Sequence, residues 1–256
     1  MMFDAKHISL ELGNSQLLKD VNISASQGEL VGVVGPNGAG KTSLLRSILG
    51  FEERAKGVCD LWEMSAARRS QYVAWISQDR NVNWDLSVEQ IVALGRMPWR
   101  GFLGSPMSDD QNHIDRAIKQ LSIEHLVGRS FHTLSGGERA RVLIARALCQ
   151  NTSLLLADEP IAALDPAHQL QVMGFFQQIA KDGKAVVMSI HDLGLATRFC
   201  TRIILMHESV IVADGLPSDV LNAENLASVF GIRVFQTTID GKPVLQPIEL
   251  IGENHE

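Results

Sequence analysis

Eight residues, GPNGAGKT at 35–42, constrain the fold of this chain more than any other stretch. They fit the spacing G-x-x-x-x-G-K-[ST], with the apolar ELVGVV before them and TSLLRSILG, apolar at helical spacing, after them. Gly35, Gly38 and Gly40 allow successive backbone N–H groups to point one way, and a helix starting near Lys41 adds the positive end of its dipole. Such a strand–loop–helix unit holds phosphate oxygens at the C-terminal edge of a mostly parallel sheet. The candidate phosphate ligands are therefore Gly35, Pro36, Asn37, Gly38, Ala39, Gly40, Lys41, Thr42 and, more weakly, Ser43. Lys41 would reach the β and γ phosphates, and the Thr42 hydroxyl would be offered to Mg2+.

The rest of the pattern fits an α/β chain. Apolar runs at Leu30 to Val34, Tyr72 to Ile76, Leu154 to Ala157, Ala185 to Ile190 and Ile203 to Met206 are short, nearly unalternating and separated by helix-length segments. Strands covered on both faces read this way. Between Ser87 and Asn151 the strand runs stop and helical periodicity takes over, as at Ile114, Ile118 and Leu121, which predicts a helical subdomain at about 87–151 inserted into a single domain over 1–256. GRMPWRGFLGSPMSDD, 95–110, reads as a loop within it. At 256 residues and 45% hydrophobic the chain can bury a core, and its net charge of −6 argues against a nucleic-acid partner. Three cysteines, an odd number without metal-ligand spacing, suggest reduced core thiols in a cytosolic chain. Asp4, Lys6 and Glu11 stand where a signal peptide needs an apolar run, and no segment approaches the roughly 20 apolar residues of a membrane helix, so the chain is expected not to span a membrane.

Two carboxylates close the strand-like LLLADEP at 154–160. At the C-terminal sheet edge Asp158 could hold Mg2+, directly or through water, and Glu159 could orient and deprotonate the water that attacks the γ phosphate. The plain alternative is a pair of solvated acids. Gln78 ends QYVAWISQ and His191 ends AVVMSIH, which directs both to the same edge. The functional reading sets Gln78 at Mg2+ and the attacking water and His191 against the γ phosphate; the plain one leaves two polar surface residues. LSGGERARVLIARAL, 134–148, poses a further problem, because glycine costs about 1 kcal/mol in a helix interior. Gly136 and Gly137 suit a helix start at which backbone comes close to something else. Ser135 and Glu138 also form S-x-x-E, a capping box that starts a helix locally.

With GPNGAGKT, Gln78, LSGGE, LLLADEP, Ala163-Leu164-Asp165 and His191 in that order, the chain resembles the ATP-binding subunits of ABC transporters over essentially its whole length. The resemblance implies a P-loop NTPase core of RecA-like type with a mostly parallel sheet, an N-terminal antiparallel β portion and the inserted helical subdomain. It implies ATP and Mg2+ as cofactors, and a homodimer closing head to tail around two ATP molecules. Ser135, Gly136 and Gly137 would then approach the γ phosphate on the partner's Lys41, and Asp165 would line the interface. It further implies ATP hydrolysis coupled to transport, membrane permease subunits in other chains, an indirect link to a substrate-binding protein, and a peripheral place on the cytoplasmic face of the inner membrane.

LSVEQIVALGRMPW, 86–99, and VFGI, 229–232, look most like ATPases of importers for iron chelates, haem and vitamin B12. All four tryptophans lie between 62 and 99, the side on which such subunits receive a helix of the membrane partner. Core packing accounts for Trp62 and Trp75, and Trp84 and Trp99 are the interface candidates. The alternatives are an ABC ATPase for another nutrient or a metal ion, a soluble ABC protein of translation or DNA repair, and a nucleotide sensor without turnover. The chain departs from the family pattern at Glu11-Leu12-Gly13, where an aromatic residue commonly stacks on adenine. Leu12 would cover one face of the base without ring overlap, unless another side chain supplies the ring.

Overall fold

The computed structural model describes residues 1–79, 85–100 and 109–251, and the chain divides into two compact units, Met1–Glu63 with Met173–Glu256, and Met64–Val172. In chain order the first unit opens with β1 (Phe3–Leu12), β2 (Ser15–Ala25), β3 (Leu30–Val34), α1 (Lys41–Ile48) and β4 (Lys56–Cys59). Strands β1 and β2 form a hairpin about Gly13-Asn14, and β4 joins the other edge of β1, both antiparallel. Phe3, Ala5, Ile8 and Leu10 are buried while Lys6, His7 and Glu11 are exposed. The step from Ala5 to Ile8 breaks the period of two, and the register shifts there, with His7 in the left-handed region at φ 56.

The second unit carries α2 (Ala66–Tyr72), β5 (Val73–Ile76), α3 (Val88–Ala93), α4 (Asp110–Gln120), α5 (Gly136–Cys149), β6 (Leu154–Asp158) and the first half of α6 (Pro166–Lys181). Tyr72, expected in a strand, is the last residue of α2. Strands β5 and β6 run parallel with Ile76 opposite Ala157. Helix α4 buries Ile114, Ala117 and Ile118, three and four residues apart, with Leu121 just beyond its end.

Part of the expected loop at 95–110 is ordered differently. Leu94–Trp99 is a 3₁₀ turn, and a Cβ at Gly95 would lie 2.2 Å from the Arg146 carbonyl oxygen, so the turn packs on α5 backbone to backbone. Residues 101–108 and Trp84 lie outside the described residues. Trp99 is engaged by its own chain: its indole N–H donates to the Gln150 carbonyl at 2.6 Å, and the Arg96 guanidinium lies 5.5 Å from its ring centre. Arg96 in turn donates to Asp110 at 2.8 Å, both buried. Trp62 donates inward to the Ser47 carbonyl at 2.8 Å.

The chain re-enters the first unit through β7 (Ala185–Ser189), α7 (Leu193–Phe199), β8 (Arg202–His207), β9 (Val210–Gly215), α8 (Pro217–Val220), α9 (Ala223–Phe230), β10 (Ile232–Ile239) and β11 (Lys242–Leu250). Strand β3 pairs in parallel with β7 and β8, and β9 closes that side antiparallel. All of β3 and β7 is buried, which is why the apolar runs LVGVV and AVVM do not alternate. Cys59, Cys149 and Cys200 are buried, and none forms a disulfide among the described residues. Among the described residues no helix is long and apolar enough to cross a membrane.

Candidate functional site

The phosphate loop is built by close backbone packing. Gly35 leaves β3 at φ 153, and a Cβ there would stand 2.2 Å from the Met206 carbonyl oxygen of β8. Gly40, at φ 100, comes close to the Leu17 carbonyl oxygen of β2, 2.6 Å from where its Cβ would lie. Any side chain at either position would push the loop off its two walls.

Gly40 is also the N-cap of α1 and brings no side-chain cap. By contrast, Ser65, Ser87, Asp192 and Asn222 cap α2, α3, α7 and α9 with their own oxygens. The first N–H groups of a helix need acceptors, so an uncapped start beneath a glycine loop suits an anion. Lys41 is buried, and its Nζ donates to the carbonyls of Gly35 at 2.7 Å and Pro36 at 2.9 Å. Its cation is thus held over the loop by neutral dipoles that phosphate oxygens can replace. Thr42 is exposed and Ser43 half-buried.

His191 follows β7 at the same end of the sheet, because Ser189 pairs with Val33 and the Ile190 N–H donates to the Val33 carbonyl at 3.1 Å. It is exposed, immediately before the cap of α7, where Asp192 accepts from the Leu195 N–H at 2.8 Å. Leu12 ends β1 opposite Ser15 and is 43% exposed, in the hairpin whose second strand meets Gly40.

The remaining candidates belong to the second unit. Asp158 ends β6 only 1% exposed. Glu159 follows, half-buried, at φ 47, a left-handed conformation that costs a non-glycine residue about 1–3 kcal/mol. The register Ile76–Ala157 puts exposed Gln78 at the same end of this strand pair as Glu159. The oxygen donors of Thr42, Gln78 and Asp158 are a hydroxyl, a carboxamide and a carboxylate, the hard ligands Mg2+ takes.

Ser135 caps α5 in a full capping box: its hydroxyl accepts from the Glu138 N–H at 3.3 Å, and the Glu138 carboxylate accepts from the Ser135 N–H at 2.7 Å. That N–H, then the Ser135 hydroxyl, then Arg129 and Arg141, hold the Glu138 carboxyl below its usual range. Gly136 and Gly137 are the first two residues of the helix, and neither has positive φ. A Cβ on Gly136 would meet nothing within 4 Å, and one on Gly137 only ordinary contact, 3.5 Å from the Ala163 carbonyl oxygen. Among the described residues neither glycine meets a neighbour that a methyl group would crowd.

Asp165 begins α6, accepting from the His168 N–H at 3.0 Å and pairing with His168 Nδ1 at 2.6 Å. That N–H, followed by the imidazole, holds its carboxyl below the usual range. His168 was not singled out in the sequence, although an Asp three residues before a His at a Pro-initiated helix start announces it.

A glycine phosphate loop on a parallel strand, an uncapped helix start, and a capped helix with unexplained glycines define a nucleotide-binding P-loop protein of α/β class. A family model for the ABC transporter matches residues 18–162, and the chain belongs to that family. It is 37% identical over 240 residues to the cobalamin import ATP-binding protein BtuD of Halobacterium salinarum, covering 91% of this chain and 60% of that protein. This chain therefore spans about 60% of the length of that relative. The hemin import ATP-binding protein HmuV of Rhodococcus jostii is 37% identical over 251 residues, 95% of this chain and 85% of the relative. Among solved structures, a metal-chelate type ABC transporter in an inward-facing conformation superposes with a TM-score of 0.83 at 26% identity over 98% of each chain. The dimeric cassette MJ0796, in a post-hydrolysis state bound to ADP and Pi, superposes with a TM-score of 0.74 at 26% identity over 84% of this chain and 98% of that one. The fold is that of the ABC ATPase cassettes, an α/β P-loop NTPase.

Proposed function

We propose that this chain is the ATPase subunit of an ABC importer for a metal chelate of the iron–siderophore, haem or cobalamin type. It works as a homodimer on the cytoplasmic face of the inner membrane, beneath permease subunits in other chains that a substrate-binding protein supplies. The observation that carries the reading is the pair Gly136-Gly137, which no neighbour among the described residues requires to be small and which stands at a helix start where an outside anion would need them small. The cargo class follows the names of the relatives.

In this account ATP enters with its phosphates over 35–43, and Lys41 exchanges the carbonyls of Gly35 and Pro36 for the β and γ phosphates. Leu12 lies against adenine. Thr42, Asp158 and Gln78 would hold Mg2+, which neutralises phosphate charge when bound. Glu159 takes a proton from the attacking water as its oxygen forms the new bond to the γ phosphorus; the bridging P–O bond breaks, and ADP and phosphate leave. His191 hydrogen-bonds the γ phosphate. Ser135, Gly136 and Gly137 approach the ATP on the partner copy, and Asp165 lines the interface between copies. Positioning and charge neutralisation supply the rate.

The test is co-expression of this chain with candidate permease subunits, followed by reconstitution and ATPase assay with the substrate-binding protein. The expected result is copurification, and ATPase activity raised by binding protein loaded with haem, cobalamin or an iron–siderophore. A binding protein that retains a bare metal ion would overturn the cargo, and failure to copurify with any permease would overturn the transport role.

A further inference from the structure

Arg141, one and a half turns into α5, is buried with 7% exposure and lies where a cation is expensive. Its Nη1 donates to the carbonyls of Leu121 at 3.4 Å and Ser122 at 3.3 Å, the C-terminal end of α4. Its Nε is buried without a hydrogen-bond partner. No carboxylate lies within ion-pair distance among the described residues; Glu138, one turn earlier, feels its charge but is taken by the capping box. The negative end of the α4 dipole compensates part of this cost. Ser122, at φ 51, also accepts from Gln171 Nε2 of α6 on its hydroxyl at 3.0 Å. One residue at the end of α4 therefore joins α5 to α6.

The placement of the two donors is symmetrical. Arg141 stands six residues after Ser135, the cap of α5, and Gln171 six after Asp165, the cap of α6. At 1.5 Å per residue each anchor lies about 9 Å down its helix from the cap. The two starts approach each other, since a Cβ at Gly137, two residues after Ser135, would lie 3.5 Å from the carbonyl oxygen of Ala163, two residues before Asp165. The anchors thus fix how the two helices are set, and with them how Ser135 and Asp165 are presented.

We propose that Arg141 is a positioning residue for the signature segment: through the Leu121 and Ser122 carbonyls, and with Gln171 on Ser122, it holds the starts of α5 and α6 in one setting, so that Ser135 and Asp165 engage the partner copy's nucleotide together. This rests on the reading of those two residues as facing the partner's ATP. The cost of burying this guanidinium with its Nε unpaired offsets what its two long hydrogen bonds contribute, so an apolar side chain of similar volume in its place should change stability little. Its value here lies in aim.

The test uses the full chain with Arg141→Met, Arg141→Lys and Gln171→Leu, measuring thermal unfolding, ATP affinity and steady-state ATPase at varied ATP. Arg141→Met keeps the melting temperature and holds ATP affinity within about twofold, while turnover falls about tenfold or more and sigmoidal dependence on ATP is lost. Arg141→Lys recovers part of that turnover, and Gln171→Leu, on the exposed side of the junction, lowers turnover severalfold at unchanged melting temperature and affinity. A purely structural residue would move the melting temperature and leave kcat per folded molecule alone, and that result overturns the proposal. If Arg141→Met does not fold, Gln171→Leu decides, and unchanged kcat in it overturns the proposal. Ser135→Arg, run in parallel, isolates the reading beneath: wild-type turnover in that variant refutes the role of the signature segment itself.

Discussion

Replacing Gly136 by alanine separates what the fold needs from what the function needs. The added methyl meets nothing within 4 Å, the backbone there has no positive φ, and the position is the first of a capped 14-residue helix. Removing a glycine at a compatible site stabilises by about 0.4–1 kcal/mol, chiefly by restricting the unfolded chain. For a chain of this size that raises the melting temperature by about 1–4 °C. If the helix start closes on the partner's γ phosphate, the same methyl stands between N–H groups and phosphate oxygens, and loss of such a contact costs about 100-fold in turnover or more. Differential scanning calorimetry and ATPase assay on one preparation read both effects. Gly136→Ala should be more stable and nearly inactive. Wild-type turnover in a stabilised variant would refute the argument that this glycine serves an approach from outside the subunit, and a lowered melting temperature would refute the steric part.

Lys41→Ala should weaken ATP binding by about 10- to 100-fold in isothermal titration, because it removes charge-assisted contacts worth about 1.5–3 kcal/mol; unchanged affinity would remove Lys41 from the site. Leu12→Tyr should tighten ATP binding several-fold and lower KM at nearly constant kcat, since stacking on a ring is worth roughly 1–3 kcal/mol, and an unchanged Kd would mean that Leu12 does not face the base. Burial pushes the Cys149 thiol up to about 11 and the Cys200 thiol up to about 12, and Cys59 is equally buried. A disulfide thiol reagent at pH 8 should therefore find no thiol in the native protein and three in denaturant, and a fast-reacting native thiol would contradict the packing.

The phosphate loop was legible because its chemistry is local: three glycines, a lysine and a threonine must follow one another, and β3 and α1 begin and end where those residues require. Strands β6, β7 and β8 were legible to within a residue or so because they are buried on both faces. The C-terminal hairpin was overlooked, although Asp240-Gly241 joins alternating strands and adopts φ 50 and 71, as a two-residue hairpin turn demands. The contacts of Trp99 with Gln150 and Arg96 were not legible because those partners are set by folding and not by sequence neighbours. Arg141 could not be singled out for the same reason, since α4 ends 20 residues before it. Ser135 was read in two ways, and the first of them, the capping box, is present.

The central claim is that two copies of this chain close around ATP and that Glu159 starts the hydrolysis that opens them. Size-exclusion chromatography with light scattering on Glu159→Gln, with ATP and Mg2+, tests it most directly, because the carboxamide keeps the shape of the side chain and loses the base. The account predicts a stable species of twice the 28.1 kDa chain mass that returns to monomer when ATP is replaced by ADP, with turnover lost. A variant that stays monomeric at saturating ATP, or that hydrolyses ATP at the wild-type rate, would contradict it.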